Sequence, residues 1–217
     1  MREFAWRACR MMVFVLLLVG RAEAVELEST DARAYLAAFL DGLISYQADF
    51  TQEVRNERGD IVETGAGEFL LHRPGRFLWQ YAEPWPRVVL ADGERIWLYD
   101  EELQQVTVRL MSGVLAQTPA GLLAGDASTL DLYTFAGEQT AAGQTVIRLI
   151  PIRAGGDFRL IHMQFSDGLL LSLTLDDQFR QETHIAFHKI ALNPDIADAR
   201  FTFVVPENAD VIDETGN

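Results

Sequence analysis

Arg73 lies in the stretch "FLLHRPGRFLWQY", residues 69–81, where alternation puts Phe69, Leu71 and Arg73 on one face of a strand. After the Pro74-Gly75 turn, Phe77, Trp79 and Tyr81 recur together on one side. A guanidinium next in line after two apolar side chains has two readings. Beside a turn it can be an ordinary strand-end arginine that reaches water. Facing a concave apolar surface, it would need acceptors for its five donors, because an unpaired buried charge is costly. The unpaired carbonyls at the end of a short helix would serve, and Arg73 would then latch a lid onto a sheet.

Other residue types that could carry chemistry are poorly placed for it. His184 and His188 in "ETHIAFHKI" would converge on a helix, but the stretch alternates like a strand. At ~3.3 Å per residue they stand roughly 13 Å apart, too far to share one ion. His72 and His162 are isolated, and the adjacent Asp176 and Asp177 point opposite ways on a strand or belong to a turn. There is no G-x-S-x-G elbow, P-loop, dinucleotide glycine pattern or cysteine nucleophile. No catalytic residue, metal site or cofactor is expected, and the chain does not read as an enzyme.

The elements that position Arg73 and the aromatics are mostly strands. Ser29-Thr30-Asp31 can cap a helix in which Leu36, Phe39, Leu40, Leu43 and Ile44 recur at helical spacing. The period then switches to two: Tyr46, Ala48, Phe50 and Val54 share a face. Strand signals continue almost to the end, with Ala91-Asp92-Gly93 marking a tight turn. One apolar piece, "MSGVLAQTPAGLLAGD" at 111–126, breaks the alternation. Thr118 and Pro119 read as its helix cap and first position, Gly125 as its end, and Leu115, Leu122 and Leu123 as its apolar contacts. Gly113 and Gly121 weaken it by about 1 kcal/mol each relative to alanine. Consecutive hairpins with few helices predict an antiparallel sheet, curled or partly closed.

The first residues say where such a sheet would work. Arg2, Arg7 and Arg10 precede an apolar run from Met11 to Val19, followed by Ala22-Glu23-Ala24. That is a secretory signal peptide, 1–24, cut after Ala24 to leave a single domain, 25–217. Cys9 is the only cysteine and precedes the apolar run, so neither a lipidated N-terminus nor a disulfide is expected. Removing four arginines and two glutamates from 18 basic and 32 acidic side chains leaves a net charge of −16. Nucleic acid and anionic headgroups would both be repelled by that surface.

Six segments resemble, in order along the chain, the LolA family of periplasmic lipoprotein carriers of Gram-negative bacteria. They are "ADFTQ" at 48–52, "HRPGRFLWQY" at 72–81, "LADGERIWLYD" at 90–100, "LQQVTVR" at 103–109, "QTP" at 117–119 and "ARFTFVVP" at 199–206. The R-P-x-x-F-x-W core with the following D-G-x-x-x-W-x-Y is the most specific part. The resemblance implies a mainly β (α+β) fold: an unclosed antiparallel β-barrel with an N-terminal helix and a short helical lid over an apolar cavity. It implies a monomeric periplasmic chaperone that takes triacylated lipoproteins from the inner-membrane LolCDE complex to the outer-membrane receptor LolB. Arg73 matches the arginine that holds the lid closed in this family, Phe77 an aromatic concerned with exchange at the inner-membrane complex, and Trp79 an adjacent sheet position. Phe69, Leu71, Trp97 and Tyr99 either touch acyl chains or support the sheet. Leu78 stands where the family commonly has a polar or basic residue, and "PENADV" at 206–211 lacks the usual glycine of the C-terminal turn. Two other readings are a lipoprotein-binding sensor or regulatory domain and a carrier for a specialised glycolipid pathway.

Overall fold

From Ser45 to Arg55 buried and exposed side chains alternate along one strand, β2, placing Tyr46, Ala48, Phe50, Gln52 and Val54 inward. The computed structural model describes residues 25–111, 119–125, 127–139, 143–153 and 156–216. Before β2 come a short strand, β1 (Val25–Leu27), and helix α1 (Ser29–Gly42). Helix α1 buries Ala32, Leu36 and Leu40, the face its spacing predicted. Its start differs from expectation: Glu28 occupies the cap position without a side-chain capping bond, so Ser29 and Thr30 lie inside the helix. Ile44, beyond the helix end, is exposed.

Five strands follow β2 as hairpins: β3 (Ile61–His72), β4 (Arg76–Glu83), β5 (Arg87–Asp92), β6 (Arg95–Asp100) and β7 (Gln105–Leu110). Helix α2 (Pro119–Ala124) and a 3-10 segment (Ala127–Leu132) interrupt the series. It resumes with β8 (Tyr133–Gln139), β9 (Thr145–Pro151), β10 (Phe158–Ser166), β11 (Leu169–Asp177) and β12 (Glu182–Leu192). The last strand is β13 (Asp210–Asp213). All of these strands form one sheet in the order β1-β8-β9-β10-β11-β12-β2-β3-β4-β5-β6-β7-β13. Every pairing is antiparallel except that of β13, which runs parallel to β7. The edge strands β1 and β13 do not pair with each other, so the sheet is an unclosed barrel.

One core cluster joins Leu149 and Ile161 from β9 and β10 to Ala91 and Ile96 from β5 and β6. It also contains Leu36 and Leu40 of α1 and Leu122 and Leu123 of α2, so the sheet curls around both helices. A second cluster lies on the opposite face of β3–β5, where Leu70, Leu78 and Leu90 meet Ile196 and Phe201 from the C-terminal segment. This explains an apolar residue at position 78: the segment covers that face and leucine packs beneath it. Arg76 ties the segment down, its Nη1 donating to Asp198 at 2.6 Å while the guanidinium lies over the Phe201 ring. A turn closed by Ala209 N–H to the Pro206 carbonyl then leads into β13 without the usual glycine.

Two glycines in β3 shape the inner face near the rim. Gly67 pairs with Phe50 on one side and Tyr81 on the other, and these two rings meet at 5.0 Å, edge to face. A Cβ on Gly67 would stand 1.9 Å from the Gln80 carbonyl oxygen, a backbone atom that cannot rotate away. One at Gly65 would press on the Tyr81 ring at 3.2 Å. Gly67→Ala is therefore expected to destabilise the protein by ~3 kcal/mol or more, at or above the upper end of ordinary overpacking costs. Chemical denaturation checks this, with Gly65→Ala as the milder comparison because an aromatic ring can shift.

The β5–β6 turn is held by one carboxylate. Asp92 Oδ1 accepts the backbone N–H groups of Glu94 and Arg95 at 2.9 and 2.8 Å, and Oδ2 accepts Trp97 Nε1–H at 2.9 Å. Partial burial alone would raise the Asp92 pKa, but the Trp97 and backbone donors outweigh it and leave it below the ordinary 3.8. The stability this adds is present above the unfolded value and is lost as pH falls through the lower folded one. Asp92→Asn offers one acceptor oxygen in place of two and should cost about 1–2 kcal/mol at neutral pH, allowing for partial exposure. Thermal melts of the two proteins should converge as the pH is taken down through the carboxylate range.

Candidate functional site: a latched apolar cavity

Arg73 lies at the end of β3 where the chain turns into β4, and its side chain crosses from the sheet to both helices. Nη2 donates to the carbonyl of Gly125, just past α2, at 2.7 Å, and Nη1 donates to the carbonyl of Leu40 in the last turn of α1. Gly75 N–H adds a bond to the Ala124 carbonyl at 2.9 Å. Helix ends expose carbonyls with lone pairs to spare, and a guanidinium can serve two at once. The Leu40 carbonyl also accepts Leu43 N–H at 3.2 Å. The bond to Gly125 is of the kind expected from the 111–126 segment. The bond to Leu40 was not foreseen: α1 lies 33 residues away and nothing in the local pattern points to it.

Between the two halves of the sheet lies a largely apolar cavity of about 520 Å³, open to solvent and touched by α2 but not by α1. Phe77, Trp79, Val89 and Ile96 line it from one half of the sheet, and Leu175 and Ile185 from the other. Helix α2 contributes Ala120. Polar side chains gather at the mouth. Tyr81 donates its hydroxyl to Gln52 Oε1 at 2.9 Å, Arg87 stacks over the Tyr81 ring, and Arg87 pairs with Glu63 at 2.9 Å. Burial raises the Tyr81 pKa, the nearby Arg87 only partly opposing it, so the phenol remains a donor.

The residues singled out from sequence fall into four positions. Phe77 and Trp79 face the cavity, Phe77 the more buried of the two. Phe69 and Leu71 pair with Trp79 and Phe77 across the β3–β4 ladder and are wholly buried in the main core. Leu122 and Leu123 of α2 are likewise packed into that core, α2 begins at Pro119, and Leu115 lies outside the described residues. Trp97 and Tyr99 do not face the cavity. They pair with Leu90 and Val88 on the outer face, and Phe203 stacks on Trp97 at 5.2 Å and meets Tyr99 at 6.1 Å. Their strand turns Ile96 and Leu98 inward instead. His184 and His188 have separate partners, Thr174 and Thr51, on neighbouring strands. Among the described residues no helix is long and apolar enough to cross a membrane.

Fold and site define a class: a curled, unclosed β-sheet around an apolar cavity, with two helices packed in its concave face and joined to it by Arg73. The model of the outer membrane lipoprotein carrier protein LolA matches residues 41–204. An outer-membrane lipoprotein carrier protein of Alkalilimnicola ehrlichii is 40% identical over 189 residues, 87% of each chain. One from Chromohalobacter salexigens is 35% identical over 216 residues, 100% of each chain. The chain belongs to the LolA family. An uncharacterized conserved protein from Thermus thermophilus shares the fold at a TM-score of 0.53 and 12% identity, over 87% of this chain and 100% of that one.

Proposed function

We propose that this protein is a periplasmic lipoprotein carrier that shelters the acyl chains of triacylated lipoproteins between the inner-membrane LolCDE complex and the outer-membrane receptor LolB. The observation that carries this reading is an apolar cavity in a curled sheet whose helices are joined to it by Arg73, in a chain of the LolA family. Each methylene kept from water is worth about 0.8 kcal/mol, so acyl chains do not cross an aqueous compartment unshielded. Seating acyl chains between the sheet and the helices would part α1 and α2 from the sheet, and that breaks the bonds of Arg73. Loading thus exchanges polar contacts of the empty form for apolar burial of cargo, and release reverses the exchange when a receptor holds the chains more tightly. The reading gives the protein no catalytic role and needs no cofactor.

Residues 1–24 would direct the chain to the periplasm and be removed there, so N-terminal sequencing of the exported form should begin at Val25. Retention of Met1 to Arg10 would refute that. The carrier role is tested with a fluorescent fatty-acyl probe. It should bind the purified protein, be displaced by a triacylated lipopeptide and stay chemically intact. A probe that does not bind, or that is cleaved by the protein, overturns the reading.

A further inference from the structure

Trp79 Nε1 is the one buried side-chain nitrogen or oxygen atom without a hydrogen-bond partner among the described residues. Buried polar groups in folded proteins almost always have partners, and one left without an acceptor costs free energy. The side chain is 8% exposed, within a cluster of rings: Phe69 at 4.6 Å, Phe50 at 5.4 Å and Phe187 at 6.4 Å between centroids. A phenylalanine would fill this position without an unsatisfied donor. Trp79 also belongs to the cavity wall, where several polar side chains are paired: Tyr81 with Gln52, Arg87 with Glu63, and Arg109 with Glu214. The residue that carries the unmet donor is therefore part of the cavity wall, with its Nε1 covered in the empty protein.

Its position along β4 indicates which acceptor it suits. On the inner face the strand runs from Phe77, with no polar atom, through Trp79, with one, to Tyr81, whose hydroxyl joins the polar mouth. An acylated group has the same sequence of chemistry: hydrocarbon, then the ester or amide carbonyl, then the polar remainder. Resting on the carrier reading above, we propose that Trp79 Nε1–H donates to the ester or amide carbonyl that joins a cargo acyl chain to its polar head. Trp79 would then be a specificity residue that sets the depth of the chain and distinguishes acyl groups from bare hydrocarbon.

Two ligands of equal length, methyl tetradecanoate and hexadecane, test this by displacing a fluorescent acyl probe from the unaltered protein and from Trp79→Phe. Loss of the N–H should weaken ester binding about ten-fold more than hexadecane binding. Equal weakening of both ligands would overturn the proposal and leave the N–H resting on the neighbouring phenylalanine faces. Failure of the ester to bind the unaltered protein would sink the carrier reading itself, and this inference with it. A second measurement does not depend on the fold of the variant. In protein labelled with ¹⁵N-tryptophan, the Trp79 indole N–H resonance, assigned with Trp85→Phe and Trp97→Phe, should move downfield with the ester and stay unshifted with hexadecane. Titration with a triacylated lipopeptide and with lysophosphatidylglycerol separates the two sources of an acyl carbonyl. A downfield shift with the lipopeptide assigns the site to the lipoprotein anchor, one with the lysolipid alone assigns it to membrane lipid, and none with either overturns it.

Discussion

Arg73→Leu should load cargo normally and then fail to hand it on. The guanidinium stabilises only the form in which α1 and α2 lie over the sheet, through Leu40 and Gly125. Leucine suits the apolar surroundings, so the protein folds and its loaded, open form loses nothing. The closed, empty form loses charge-assisted hydrogen bonds worth about 1.5–3 kcal/mol. Transfer requires a return to that form, so the balance moves toward retention by roughly ten- to a hundred-fold. Arg73→Lys should be milder, because one ammonium can reach one helix end but lacks the planar fork that spans two. The measurement is transfer of a preloaded lipoprotein to acceptor carrying the proposed receptor. Release by Arg73→Leu at the unaltered rate would show that the bonds to the two helix ends do not govern hand-over.

The bond to Leu40 makes the latch a three-way joint, and shows what the sequence could and could not disclose. Alternation alone put Arg73 in line with Phe69 and Leu71 and placed Phe77 and Trp79 together, and these rows do share the inner face. Glycine, proline and the leucines of 119–125 marked α2, whose end provides one acceptor. The other acceptor comes from tertiary docking of α1, a contact with no local signature. Trp97 and Tyr99 were ambiguous for a different reason. Strand alternation separates two faces but does not say which is inside, and here both are apolar because Ile196, Phe201 and Phe203 cover the outer one. Only the register of β5 with β6, Ala91 to Ile96 and Leu90 to Trp97, resolves the parity. The unmet donor of Trp79 is less legible still, since it depends on every neighbour being unable to accept.

Phe69 and Leu98 should behave as opposites, which separates the residues that build the sheet from those that meet a ligand. Phe69 has no exposed surface and packs against Tyr46, Trp79 and Phe187 at 6.2, 4.6 and 5.7 Å. Phe69→Ala removes most of a ring from a closed core and should cost about 3–5 kcal/mol of stability. The fraction that remains folded should bind an acyl probe with little change, because the residue lies behind the cavity wall. Leu98 is 36% exposed and faces the cavity, so shortening it enlarges a space that already exists. Leu98→Ala should change stability by no more than ~0.5 kcal/mol, as partly exposed positions usually do. Its probe affinity should fall about four-fold for each methylene's worth of contact removed. Denaturation midpoints and probe titrations on the two variants decide the matter together. If Leu98→Ala binds as well as the unaltered protein while folded Phe69→Ala does not bind, the acyl chain lies against β3 and the cavity between the two halves of the sheet is not its seat.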